Sequence, residues 1–211
     1  MNNLLKKTKK FSNIQGSLAE NCTNQLNCTG FKSYYDNNFL QAAVNYKIIP
    51  VFYAYIIAYE ANNLWGLYDC NYNIEPSLCQ KGAQFIRDNT GRILERYANY
   101  SSNVAKFIGT YGNAIFLIEP DFWQYYGRNA TNTPGPQNGP QEGGALSGNE
   151  MRNLFDQIVA TIKIYLPYAA ISWDISPWLT PEDMKAWWGY FADSSDIDFI
   201  HTSGGTNNGN L

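Results

Sequence analysis

The sequence is short of charge and nearly without histidine. Asp, Glu, Lys and Arg together make up 16% of the 211 residues, the net charge is −3, and His201 is the single histidine. One imidazole excludes a His-rich metal site, and no nucleophile stands at a telling spacing from it, so His201 reads as a structural or ligand-binding hydrogen-bonding group. The four cysteines do not match zinc spacing either, and no metal is expected. Basic residues form no stripe beyond Lys6, Lys7, Lys9 and Lys10, which read as a solvated end, so nucleic acid is not an expected partner. No apolar run reaches the roughly 18 residues of a membrane span. Residues 1–10 carry charge but no apolar h-region, so no signal peptide is legible. Gly204-Gly205 with Asn207 lacks the Lys-Ser/Thr ending and following helix of a phosphate loop, and no cofactor signature occurs elsewhere.

What the chain has in excess is aromatic surface, at 16% of residues with 6 Trp and 16 Tyr. Its cysteines fall in two close pairs, Cys22 with Cys28 and Cys70 with Cys79. They read as two local disulfides among three possible pairings, the alternative being four reduced thiols. Asn21-Cys22-Thr23, Asn27-Cys28-Thr29, Asn99-Tyr100-Ser101 and Asn129-Ala130-Thr131 are glycan acceptor patterns in stretches that read as loops or helix ends. Paired cysteines and acceptor sites together indicate a secreted, extracellular glycoprotein. With no h-region at residues 1–10, this N-terminus is then not that of the primary product, and the chain reads as a fragment. The length suits one domain spanning 1–211.

Apolar runs and helical periods alternate along the chain. A weak strand is expected over 10–18, a helix over 33–46, and a core strand over 48–57, rich in β-branched and aromatic residues. Residues 58–79 show no period and read as a long loop. Two helical pieces follow over 80–108, hinged near Asn89-Thr90-Gly91. Ala114 to Ile118 is an unbroken apolar run of the kind buried on both faces of a parallel sheet, and Pro120 stops it. Residues 127–150 have the Gly, Pro and Asn content of a loop, here one lying over a cleft. The next helix is buried through Leu154, Phe155, Ile158, Val159 and Ile162, with Asn149 as its expected N-cap. A strand over 169–174, a helix started by Thr180-Pro181-Glu182-Asp183 and a strand over 198–202 complete the series. The fold class is α/β, a parallel TIM-like (β/α) barrel incomplete at its C-terminus, with the last three of eight units lying beyond Leu211. An open doubly wound sheet is the other option.

In a parallel barrel, catalytic groups stand at the carboxyl ends of strands. Glu119, Asp121 and Asp174 occupy such ends, and Glu60 is a weaker candidate after the second strand. Glycosidic hydrolysis needs one carboxyl to protonate the leaving oxygen and a second to activate water or attack. Apolar neighbours such as Phe122 and Trp123 raise a carboxyl pKa by desolvation, as the acid role requires. Trp123, Tyr125, Trp173 and Trp178 are candidate platforms for pyranose rings, with barrel core as the competing role for Trp173.

Ile118-Glu119-Pro120-Asp121 after an apolar strand, with Trp173-Asp174-Ile175-Ser176-Pro177-Trp178-Leu179 later, resembles glycoside hydrolase family 6. That family comprises cellobiohydrolases and endoglucanases that cleave β-1,4-glucan with inversion on a distorted parallel barrel. The resemblance implies that Asp121 is the catalytic acid, Asp174 a cleft aspartate and Trp178 a sugar-facing tryptophan. It implies a cellulose-like polysaccharide or oligosaccharide as partner and no cofactor. The chain departs from the family where Ser176-Pro177 stands in place of a Gly-His and its neighbour, and where the early strand lacks a following Arg-Asp-Cys. Those departures keep a second expectation open, a non-catalytic polysaccharide-binding or extracellular structural glycoprotein on a hydrolase-like barrel.

Overall fold

The computed structural model describes residues 13–14, 35–68, 75–120, 122–125, 142–175 and 180–202. Strands and helices alternate: β1 (Asn13–Ile14), α1 (Tyr35–Tyr46), β2 (Val51–Ala54), α2 (Ile56–Trp65), α3 (Leu78–Ile108), β3 (Ile115–Ile118), α4 (Gly148–Tyr165), β4 (Ala170–Asp174), α5 (Pro181–Gly189) and β5 (Phe199–His201). A 3-10 turn, Phe122–Tyr125, follows β3. The strands form one parallel sheet in chain order, β1-β2-β3-β4-β5. A doubly wound sheet reverses its strand order at a switch point, and the described strands contain no reversal. The molecule is thus an α/β protein wound in one direction.

Register decides what each face of the sheet carries. Val51 pairs Ile115, Phe52 pairs Phe116 and Ile118 pairs Trp173. Because side chains alternate along a strand, Phe52, Ala54, Phe116, Ile118, Ile171 and Trp173 share one face. That face is buried against the helices. Tyr100 of α3 meets Phe52 edge-on at 5.3 Å, and Phe155 of α4 lies 4.5 Å from Trp173. Trp187 and Phe191 close the cluster over Trp173 at 5.7 and 4.3 Å. The opposite face carries Tyr53, Leu117, Ser172, Asp174 and His201, and there Tyr53 and Leu117 are only half-buried.

Several expected elements recur where the residues indicated. The long helix α3 carries its kink at Asn89, whose φ of −126° and ψ of 15° leave the helical region. Thr180 caps α5 by accepting from the Asp183 N–H, with Pro181 in the first turn. Some boundaries differ. The core strand ends at Ala54, not at residue 57, and Ile56 opens α2 in a stretch expected to be strand and then loop. Ile57, Ala58 and Ala61 give that helix its buried side, and Gly66, at φ 66°, ends it in the left-handed region open to glycine. The N-cap of α4 is Ser147, not Asn149, in a capping box where Ser147 accepts from the Glu150 N–H and Glu150 accepts from the Ser147 N–H at 2.7 Å. Finally, α5 ends at Gly189, and Phe191 lies in the turn that follows.

Close approach fixes a second glycine. A methyl group at Gly82 of α3 would overlap the Tyr125 ring, so the 3-10 turn seats directly on the helix backbone. Cys79, in the first turn of α3, is buried and disulfide-bonded. Cys22, Cys28 and Cys70 lie outside the described residues. Asn99 belongs to the interior of α3, not to the loop or helix end expected of an acceptor, and Ser101 of its motif is fully buried. Asn21, Asn27 and Asn129 fall outside the described residues. No described helix is long and apolar enough to cross a membrane.

Candidate functional site

Ile118 and Trp173 are paired across β3 and β4, so Glu119 and Asp174, each the next residue, stand side by side where the strands end. His201 pairs Asp174 on β5. Parallel order therefore brings three of the expected site residues to one edge of the sheet.

Their side chains then part. Regular alternation would send Glu119 to the face of Leu117 and Asp174. Its φ of 37° breaks that alternation, a left-handed conformation that costs a non-glycine residue about 1–2 kcal/mol. The carboxylate turns toward the helices instead. Oε1 accepts from the N–H groups of Ile56 and Ile57 at 3.0 and 3.1 Å and from the Tyr97 hydroxyl at 2.7 Å, while Oε2 accepts from Ile57 at 3.2 Å. Tyr55, the N-cap residue of α2, makes no side-chain cap, so a carboxylate 63 residues beyond Ile56 does that work. The first N–H groups of a helix lack intrahelical partners and carry the positive end of its dipole, which a carboxylate satisfies. This also explains why Ile56 and Ile57 start a helix despite their strand-like composition.

Glu119 is 1% exposed, and burial pushes its pKa up to about 8 against the lowering effect of the Tyr97, Ile57 and Ile56 hydrogen bonds. Tyr97 is also raised well above its ordinary value, first by its own burial and then by the charge of Glu119. The geometry satisfies both protonation states. An ionised Glu119 accepts from Tyr97. A protonated one donates to Tyr97, whose hydroxyl then donates to the Ala54 carbonyl at 3.2 Å. Glu119, expected as a cleft acid, is placed with its oxygens capping α2 within the core.

Asp174 remains on the other face, itself only 1% exposed. Its backbone carbonyl accepts from the Trp187 indole at 3.2 Å, and its Oδ1 lies 3.8 Å from His201 Nε2. On the far side of the ring, His201 Nδ1 is 2.9 Å from the Ser172 hydroxyl, and Tyr53 stands edge-on at a centroid distance of 6.4 Å. The His201 side chain is 12% exposed, and desolvation lowers its pKa to about 4, so the ring is neutral at physiological pH.

Two expected sugar platforms belong to the core. Trp173 is 0% exposed within the aromatic cluster, and Tyr125 is buried against Gly82. Neither ring has a face open to a pyranose. Trp123 is half-buried in the 3-10 turn, packed against the core by part of its surface. Asp121 and Trp178 lie outside the described residues. Glu60, the weaker strand-end candidate, is a fully buried structural ion, with Arg92 and Arg96 of α3 each 2.7 Å from its carboxylate. Tyr97, Arg96 and Ser172 were not legible as partners of these groups, because their roles depend on pairing across 22 to 36 residues of chain or across neighbouring strands. No group of three or more His, Cys, Asp or Glu able to hold a metal ion occurs among the described residues. Compared with known proteins, the chain matches no family model and no curated sequence.

Proposed function

We propose that this is a secreted glycoside hydrolase-like protein that cleaves a β-linked, cellulose-like glucan on a barrel-type arrangement of parallel strands. The supporting observation is the sheet itself: strands in chain order bring the segment after β3, Asp174 and His201 to one carboxyl edge, where barrel enzymes keep their chemistry. With Glu119 committed to α2, Asp121 is the proton donor to the leaving oxygen and Asp174 the supporting carboxylate. Trp123 and Trp178 supply apolar surface for pyranose rings. The test is reducing-sugar release from β-glucans, mannans and xylans by the wild type, Asp121→Asn and Asp174→Asn. Release lost in Asp121→Asn supports the assignment, and full activity in that variant refutes it.

A second reading is favoured by one observation. Both described strand-end carboxylates, Glu119 and Asp174, are buried, so a chain that binds polysaccharide without cleaving it accounts for them equally well. That protein would bind oligosaccharide saturably, release no sugar, be indifferent to Asp121→Asn and weaken with Trp123→Ala or Trp178→Ala.

A further inference from the structure

We propose that Ser172 is a positioning residue of this site: its hydroxyl donates to Nδ1 of His201 and anchors the ring, whose Nε2–H tautomer is set by the Asp174 carboxylate it faces. The inference deepens the reading above by defining what His201 presents to Asp174, and it rests on that reading only in treating Asp174 as a site carboxylate.

Ser172 and Asp174 are two residues apart on β4 and so share a face, with His201 registered beside Asp174 on β5. A neutral imidazole carries one N–H donor and one lone pair, and a serine hydroxyl serves either as donor or as acceptor. The Ser172 contact at 2.9 Å is therefore compatible with both tautomers. Asp174 breaks the tie. With the proton on Nδ1, the Nε2 lone pair would face a carboxylate oxygen 3.8 Å away, two negative ends opposed in a site of low dielectric. With the proton on Nε2, the N–H dipole presents its positive end to that oxygen, and Ser172 donates to the free Nδ1 lone pair.

Nε2 is buried and has no hydrogen-bond partner among the described residues. Nδ1 does have one, so the serine is the group that anchors the ring. The arrangement resembles the orienting contact of a catalytic histidine, in which the bond at one ring nitrogen fixes what the other presents. Here it suits Asp174 to the role of a charged supporting group facing a fixed dipole.

His201 is the single histidine of the chain, so its ring nitrogens can be observed without assignment ambiguity in 15N-labelled protein. A long-range proton–nitrogen correlation spectrum at neutral pH tests the proposal. The wild type is expected to show a protonated nitrogen coupled to both ring C–H groups, which identifies Nε2, and an unprotonated Nδ1. In Ser172→Ala the Nε2 proton should stay, because Asp174 still favours that tautomer, while the Nδ1 resonance should move as it loses its donor, and Ser172→Thr should restore it. Asp174→Asn, which removes the charge and keeps the shape, should move both nitrogens to averaged positions, the mark of a tautomer mixture, and serves if Ser172→Ala fails to fold. A wild-type proton on Nδ1, or a ring spectrum unchanged in either Ser172→Ala or Asp174→Asn, overturns the proposal. Absence of sugar release would remove the hydrolase reading and leave this result standing, so the two failures are separable.

Discussion

Glu119 makes the fold pH-sensitive in an unusual direction. Paired surface carboxylates have lowered pKa values and stabilise a protein as pH rises. Glu119 is raised from 4.5 to about 8, so the folded state holds its proton more tightly than the unfolded chain does. Its contribution is fully present below about pH 4.5 and is lost progressively as pH rises through about 8. The whole shift is worth about 5 kcal/mol at 1.36 kcal/mol per unit, comparable to the entire stability of a marginal domain. His201 acts oppositely, so the window must be chosen to exclude it. Lowered to about 4 from 6.5, it destabilises the fold as pH falls below 6.5 and contributes no slope above that value. Between pH 6.5 and pH 9 the remaining effect of Glu119 is about 2 kcal/mol. For a urea m-value of about 2 kcal/mol/M, that is a fall of about 1 M in the unfolding midpoint.

The perturbation is Glu119→Gln. The amide keeps an oxygen to accept from Ile56, Ile57 and Tyr97, loses the titration, and gives up only the longer second contact of Ile57 with Oε2 at 3.2 Å. Urea unfolding followed by tryptophan fluorescence at pH 6.5 and pH 9 should therefore show a falling midpoint in the wild type and a much flatter one in Glu119→Gln. At pH 9 the variant should be the more stable protein. If the wild-type midpoints coincide, or if Glu119→Gln falls equally, the reasoning is wrong, and the helix N-terminus with Tyr97 outweighs desolvation and keeps the carboxylate ionised.

Other outcomes follow from single contacts. Below pH 6.5 the burial of neutral His201 should cost the fold up to about 3 kcal/mol by pH 4, and His201→Asn should flatten that limb of the thermal midpoint profile. Arg96→Ala strips a 7%-exposed guanidinium from fully buried Glu60 and should cost about 3–5 kcal/mol in urea unfolding. Arg92→Ala, at a 34%-exposed partner of the same carboxylate, should cost about 1 kcal/mol or less. Gly82→Ala pushes a methyl into the buried Tyr125 ring and should lose about 1–3 kcal/mol, visible as an altered near-UV circular dichroism spectrum and a lower midpoint.

The course of the chain was readable wherever a pattern is local. Apolar runs marked β3 and β4, helical spacing marked α1, α3 and α4, and Thr180-Pro181 marked the start of α5, because each signal lies within a few residues of what it specifies. The kink at Asn89 was readable for the same reason, from Asn-Thr-Gly inside a helical period. The cap of α4 is equally local, since Ser147 and Glu150 form a capping box three residues apart. The start of α2 was different in kind. Ile56 and Ile57 carry strand propensity, and what makes them helical is a carboxylate delivered from the end of β3, together with a tyrosine from α3. No window on either segment contains that information.

The same remoteness changes how the site is read. A strand-end glutamate beside a proline looks catalytic because the chemistry of barrels favours acids at that edge. Yet a strand end next to a helix start is also where an acid best satisfies unpaired N–H groups, and sequence position cannot separate the two uses. The backbone angle does. At φ 37° Glu119 leaves the face it would share with Asp174 and enters the core, so two acids adjacent along the edge end up on opposite sides of the sheet. The pair to perturb is then Asp121 with Asp174, and Glu119→Gln becomes the control: it should alter the pH dependence of stability and leave sugar release in place. An activity that fell with Glu119→Gln at a pH where the variant is fully folded would return the acid role to Glu119.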